Sequence, residues 1–143
     1  MGAFQNTATQ QYQQVGVFSS AAYADPHHLI TMLMDGALER IALAKGAMLQ
    51  NDIAEKGKLI GNTVTIIEGL RGCLDLSAGG ELAQNLFDLY DYMIRQLLRA
   101  NLESEPEILD EVARLLREIE SAWVDIPNVS PSATSPIAST ENL

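Results

Sequence analysis

The side chains in this sequence that are capable of chemistry are few, and their spacing argues against catalysis. Its histidines, His27 and His28, are neighbours. Adjacent side chains on a helix diverge by about 100°, so the two rings cannot close well on one metal ion, and both are expected to be solvated or packed. A di-iron bundle needs Glu-x-x-His pairs on two helices, and the sequence has none. A phosphorelay bundle needs an exposed histidine midway along a helix, which is also missing. Gly79 and Gly80 follow no strand and read as a helix break rather than a phosphate cradle. No Ser or Cys has a base beside it, so the chain is expected to be no enzyme and to hold no catalytic group, metal or cofactor. The single cysteine, Cys73, lies among apolar residues. It reads as a small buried thiol in a reducing compartment.

The elements that would carry any site are helical. Apolar residues recur at spacings of three and four in four long segments separated by short polar breaks. The first opens at Asp25 and Pro26, a capping side chain followed by a proline that has no N–H to satisfy, and its stripe is Ile30, Leu33, Met34, Ala37, Leu38, Ile41, Ala44 and Met48. The second starts at Asp52, with Glu55 placed as in a capping box, and runs to about Asp75 with Ile53, Ile60, Val64, Ile67, Leu70 and Leu74 on one face. Gly57, Gly61, Gly69 and Gly72 fall inside it, each at a cost of roughly 1 kcal/mol relative to Ala. Close packing inside the molecule is the preferred reason, and plasticity toward a partner the other.

After a break at Ser77 to Gly80, the third segment carries Leu82, Leu86, Leu89, Met93 and Leu97, flanked by Ala83, Phe87, Tyr90, Ile94 and Leu98. A face this wide suits a helix touching two neighbours. The fourth opens with Ser104 as cap and Glu107 reaching back, and then presents Ile108, Val112, Leu115, Ile119, Ala122 and Ile126, with Leu109, Leu116 and Trp123 beside them. Short breaks force neighbouring helices to run antiparallel, so the expected fold is all-α, an up-down four-helix bundle over residues 25–126.

A leader, residues 1–24, and a disordered tail, residues 127–143, flank the bundle. The tail is built of Pro, Ser, Thr and Ala with almost nothing to bury. In the leader Tyr12, Val15, Val17, Phe18 and Tyr23 need a dry surface, and they are expected either to form a displaceable lid over an apolar groove or to dock permanently and complete the core.

The whole chain has 143 residues, 9 Lys plus Arg against 19 Asp plus Glu, and a net charge of −10. Such a surface repels phosphate backbones and anionic headgroups, so neither nucleic acid nor membrane insertion is expected. No secretory signal and no membrane-spanning run is seen in the sequence, in keeping with the reducing compartment expected from the lone cysteine. What remains is a surface for another polypeptide.

The wording of the third segment then becomes informative: Gly79-Gly80-Glu81-Leu82-Ala83, Asn85-Leu86, Leu89-Tyr90-Asp91-Tyr92-Met93 and Ala100-Asn101-Leu102. With Met32 to Ala37, Glu107 to Val112, Ala122-Trp123 and Gln11-Tyr12, it resembles the flagellin-export chaperone family, FliS, from about Gln11 to Ile126. The sequence departs from that family at Met34, where a tyrosine is usual, and at Asp25, where a serine is usual.

The resemblance implies a cytosolic bundle that binds the disordered C-terminal segment of flagellin one to one. It would prevent premature polymerisation and deliver the subunit to the flagellar type III export apparatus. The expected client-binding residues are Leu82, Leu86, Tyr90, Asp91, Tyr92 and Arg95, with Tyr12 and Val15 of the leader, because Tyr90, Asp91 and Tyr92 are consecutive and cannot all face a core. The competing reading is a structural or signalling bundle that self-associates through the same rows.

Overall fold

Three aspartates start three of the helices. The structure, a computed structural model, describes residues 25–126; the leader, the tail, the lid expectation, Tyr12 and Val15 lie outside the described residues. Asp25 accepts from the His28 N–H at 3.2 Å and opens α1 (Pro26–Leu49), with Pro26 in the first turn. Asp52 accepts from the Glu55 N–H at 3.2 Å and opens α2 (Ile53–Gly72). Asp75 accepts from the Ala78 N–H at 3.1 Å and opens α3 (Leu76–Glu103), which is followed by α4 (Pro106–Val124). Each cap satisfies a main-chain donor that the first turn leaves without a partner.

Two boundaries differ from the sequence expectation. Ser77 to Gly79 are helical, not a break, because Asp75 caps them; the interruption is confined to Gly80, at φ 62° and ψ −144°. Only glycine enters that region without strain. Ser104 does not cap α4. It takes the left-handed conformation, φ 52°, and its hydroxyl accepts from Lys56 Nζ at 2.8 Å, while Glu105 holds the cap position without a side-chain bond.

The helices are joined by residues 50–52, 73–75 and 104–105. Connections so short reverse the chain direction at each step. α1 packs on α2 and α4, and α3 packs on the same two helices, with no close contact across either diagonal among the described residues. The result is the expected antiparallel four-helix bundle, closed as a ring around Leu33, Met34, Ile60, Ile67, Met93, Leu97, Leu109, Val112 and Leu116.

The α1 stripe is buried as read from the sequence except for Leu38, which is half-buried. The expected α2 face is buried at Ile60, Ile67 and Leu70 and partly at Val64 and Leu74; Leu59, Thr63 and Ile66 are buried beside it, and Ile53 is exposed. Lys56 is 5% exposed, and its ammonium donates to the Asn101 carbonyl at 2.9 Å and to Ser104, so its apolar stem packs inside while its charge ties α2 to the end of α3. The glycines of α2 do not serve close packing where their surroundings are resolved. A Cβ at Gly61 or Gly72 would meet nothing within 4 Å, and one at Gly57 only Asn101 Oδ1 at 4.0 Å.

Candidate binding groove

At one end of the bundle two apolar rows are left uncovered by the other described residues. The N-terminal half of α3 presents Leu82, Leu86 and Leu89, and the C-terminal half of α4 faces it with Leu115, Ile119 and Ala122. Between them lies a groove of about 310 Å³. Ile30 and Met34 of α1, Leu70 of α2 and the connecting residues Cys73 and Leu74 complete its walls. Glu118 is the only charged side chain among the described residues that line it. The sequence period assigns these rows to the core, but the ring of four helices covers only one face of each, and Leu82 remains 44% exposed. Contiguous apolar surface of this kind, edged by polar residues, has the character of an interaction surface or a ligand-binding groove.

One side of the groove is fixed by His27 and Trp123. The His27 ring donates from Nε2 to the Trp123 carbonyl at 2.9 Å, and the Trp123 indole N–H donates to the His27 carbonyl at 3.1 Å. Their rings stack with centroids 4.5 Å apart, at 16°. The expectation that the histidines are packed or solvated is met once each way, since His28 is exposed.

Tyr90, Asp91 and Tyr92 point three ways, as consecutive residues on a helix must. Tyr90 is 3% exposed and lines the groove. Burial, and secondarily the nearby Cys73 thiol, pushes its phenol well above the usual range, so the hydroxyl keeps its proton. Burial likewise pushes the Cys73 thiol up, which favours its protonated form.

Asp91 turns to α2, where Arg71 Nη1 donates to it at 3.0 Å, and Arg95 Nε reaches its other oxygen at 3.2 Å. Tyr92 turns to α4 and donates to Glu111 at 2.8 Å, with Gln96 donating to the second Glu111 oxygen at 3.1 Å. That hydrogen bond raises the Tyr92 phenol and lowers the Glu111 carboxyl, with Gln96 lowering the carboxyl further. On the outside of the bundle, α1 and α4 are likewise tied by Lys45 and Asp110 at 2.9 Å.

The expected site residues therefore divide. Leu82, Leu86 and Tyr90 come together in the groove; Asp91, Tyr92 and Arg95 do not line it, and the first two brace α3 against its neighbours. Leu89, Leu115, Ile119 and Trp123 belong to the groove and were not singled out from the sequence. Their only signal was the double width of the apolar faces on the third and fourth segments. Among the described residues, no helix is long and apolar enough to cross a membrane.

Comparison with known proteins points the same way. The family model for the flagellar protein FliS matches residues 8–130. The chain is 52% identical over 116 residues to the flagellar secretion chaperone FliSB of Pseudomonas aeruginosa, covering 81% of this chain and 92% of that protein. It is 45% identical over 118 residues to the flagellar secretion chaperone FliS of Vibrio cholerae, covering 82% and 87%. With its counterpart from Salmonella typhimurium it shares 44% over 124 residues, 86% and 90% of the two chains. A chain that folds as a capped four-helix bundle with an apolar groove, and that is matched along most of its length by these proteins, belongs to the FliS family of flagellar secretion chaperones.

Proposed function

We propose that this protein is a cytoplasmic export chaperone that seats the C-terminal segment of flagellin in the groove between α3 and α4. Bound there, the segment is kept from polymerising until the complex reaches the flagellar type III export apparatus. The observation that carries this reading is the groove itself: an apolar channel of about 310 Å³ between α3 and α4 with a single charged side chain among the described residues that line it. An amphipathic segment that folds as it binds would lay its apolar face there, with burial as the driving force and ordering entropy moderating the affinity. Moderate affinity suits a carrier that must release its cargo. The role is one of binding, not catalysis.

Self-association is the second reading, and Leu98 and Leu102, 54% and 84% exposed near the end of α3, favour it. Size-exclusion chromatography with and without a peptide of the flagellin C-terminal segment separates the two. The chaperone reading predicts a monomer that shifts to a one-to-one complex. A dimer that ignores the peptide contradicts it.

A further inference from the structure

We propose that Tyr90 is a specificity-determining residue of the groove, its hydroxyl donating to a neutral side-chain acceptor, an Asn, Gln, Ser or Thr, set among the apolar residues of the bound helix. This rests on the reading that the groove seats the client. Tyr90 is 97% buried (3% exposed), yet its hydroxyl has no hydrogen-bond partner among the described residues. It is not sealed in the core, because no fully enclosed side-chain polar atom among the described residues lacks a partner. The hydroxyl therefore opens into the groove that Tyr90 lines. Tyr92, two residues on, differs in this respect: its phenol is already committed to Glu111 at 2.8 Å.

Three considerations identify the acceptor. A helix spends its own main-chain carbonyls internally except in its last turn, so along most of the bound segment only a side chain is free to accept. A carboxylate is disfavoured by Glu118 on the groove wall and by the net charge of −10. The Tyr90 phenol stays protonated at any physiological pH, so it meets the acceptor as a donor. An entirely apolar helix would strip water from the hydroxyl and return nothing, which makes Tyr90 a filter as well as a contact.

The test uses the full chain, a peptide of the flagellin C-terminal segment and isothermal titration calorimetry. Tyr90→Phe is expected to raise Kd about three- to tenfold, the usual worth of one neutral hydrogen bond, with an unchanged melting temperature. Replacing the Asn, Gln, Ser and Thr residues of the peptide one at a time by Ala should reveal one position that weakens binding to the wild type by a similar factor and to Tyr90→Phe hardly at all. Unchanged or tighter binding by Tyr90→Phe, or a peptide series without such a position on the wild-type protein, overturns the proposal. Leu86→Asp, measured alongside, separates the two levels of argument. If it abolishes binding while Tyr90→Phe does not weaken it, only the hydrogen bond is refuted. If Leu86→Asp binds as the wild type does, the groove is not the seat and the Tyr90 assignment falls with it.

Discussion

His27 and Trp123, 96 residues apart in the sequence, each donate a ring N–H to the other's main-chain carbonyl while their rings stack. The pair pins the first turn of α1 to the last turn of α4 and so sets one rim of the groove. A carbonyl only accepts, which fixes the hydrogen of His27 on Nε2.

Trp123→Phe keeps a ring but removes the donor to His27, and His27→Ala removes both the stack and the reverse bond. Each is expected to cost about 1–2 kcal/mol. Thermal unfolding of the two variants and of the double variant forms a cycle. Coupling above about 0.5 kcal/mol is expected for residues in direct contact, and additive losses would show that the pair does not act as a unit.

Gly80 and Gly61 make a matched comparison, because at neither would a Cβ meet an atom within 4 Å beyond its own local stretch of chain. Gly80 sits at φ 62° inside α3, so Gly80→Ala is expected to destabilise by about 1–3 kcal/mol through backbone strain alone. Gly61 lies within the regular helix α2, and Gly61→Ala is expected to stabilise by about 0.5–1 kcal/mol. Chemical denaturation measures both, and the opposite signs are the prediction.

Much of this fold was legible in the sequence because its signals are local. Asp25 and Asp52 cap the helices they were expected to cap, and the α1 stripe is buried nearly residue for residue. The misreadings arise where a long-range contact outweighs a local preference. Ser104 has the residue type of a cap, but Lys56, 48 residues earlier in the chain, occupies its hydroxyl. Lys56 has the residue type of a solvated position, but the Asn101 carbonyl and the Ser104 hydroxyl satisfy its ammonium and it is buried. The groove was half legible for a related reason. Periodicity shows that Leu82, Leu86, Leu115 and Ile119 are apolar faces, but only the packing of four helices in a ring decides that the described residues leave their second face open.

Glu120 on α4 supplies a prediction about pH. Burial, with a hydrogen bond to Asp35 of α1 and the charge on that residue, raises its carboxyl from 4.5 to about 7. Between those values the folded chain keeps a proton that the unfolded chain has released, so stability falls as pH rises through the window and levels off above about 7. Glu120→Gln removes this slope, and the variant should gain on the wild type progressively from pH 5 to pH 8 in parallel melting curves. Glu111, whose carboxyl is lowered by Tyr92 and Gln96, acts with the opposite sign and only below its ordinary 4.5, outside that range. A wild-type profile that is flat from pH 5 to pH 8 would contradict the Asp35–Glu120 assignment.

The claim on which the rest depends is that the apolar groove, and not the exposed leucines elsewhere, receives the partner. Leu82 is 44% exposed at its lip and Leu102 is 84% exposed near the other end of α3, so both accept Glu without disturbing the core. The decisive measurement is the calorimetric Kd of each variant for the flagellin C-terminal peptide, after circular dichroism has shown the same helix content. Leu82→Glu is expected to weaken binding at least about tenfold, since a charge must be desolvated in the groove, and Leu102→Glu to bind as the wild type does. The reverse pattern, with Leu102→Glu impaired and Leu82→Glu intact, would contradict the account.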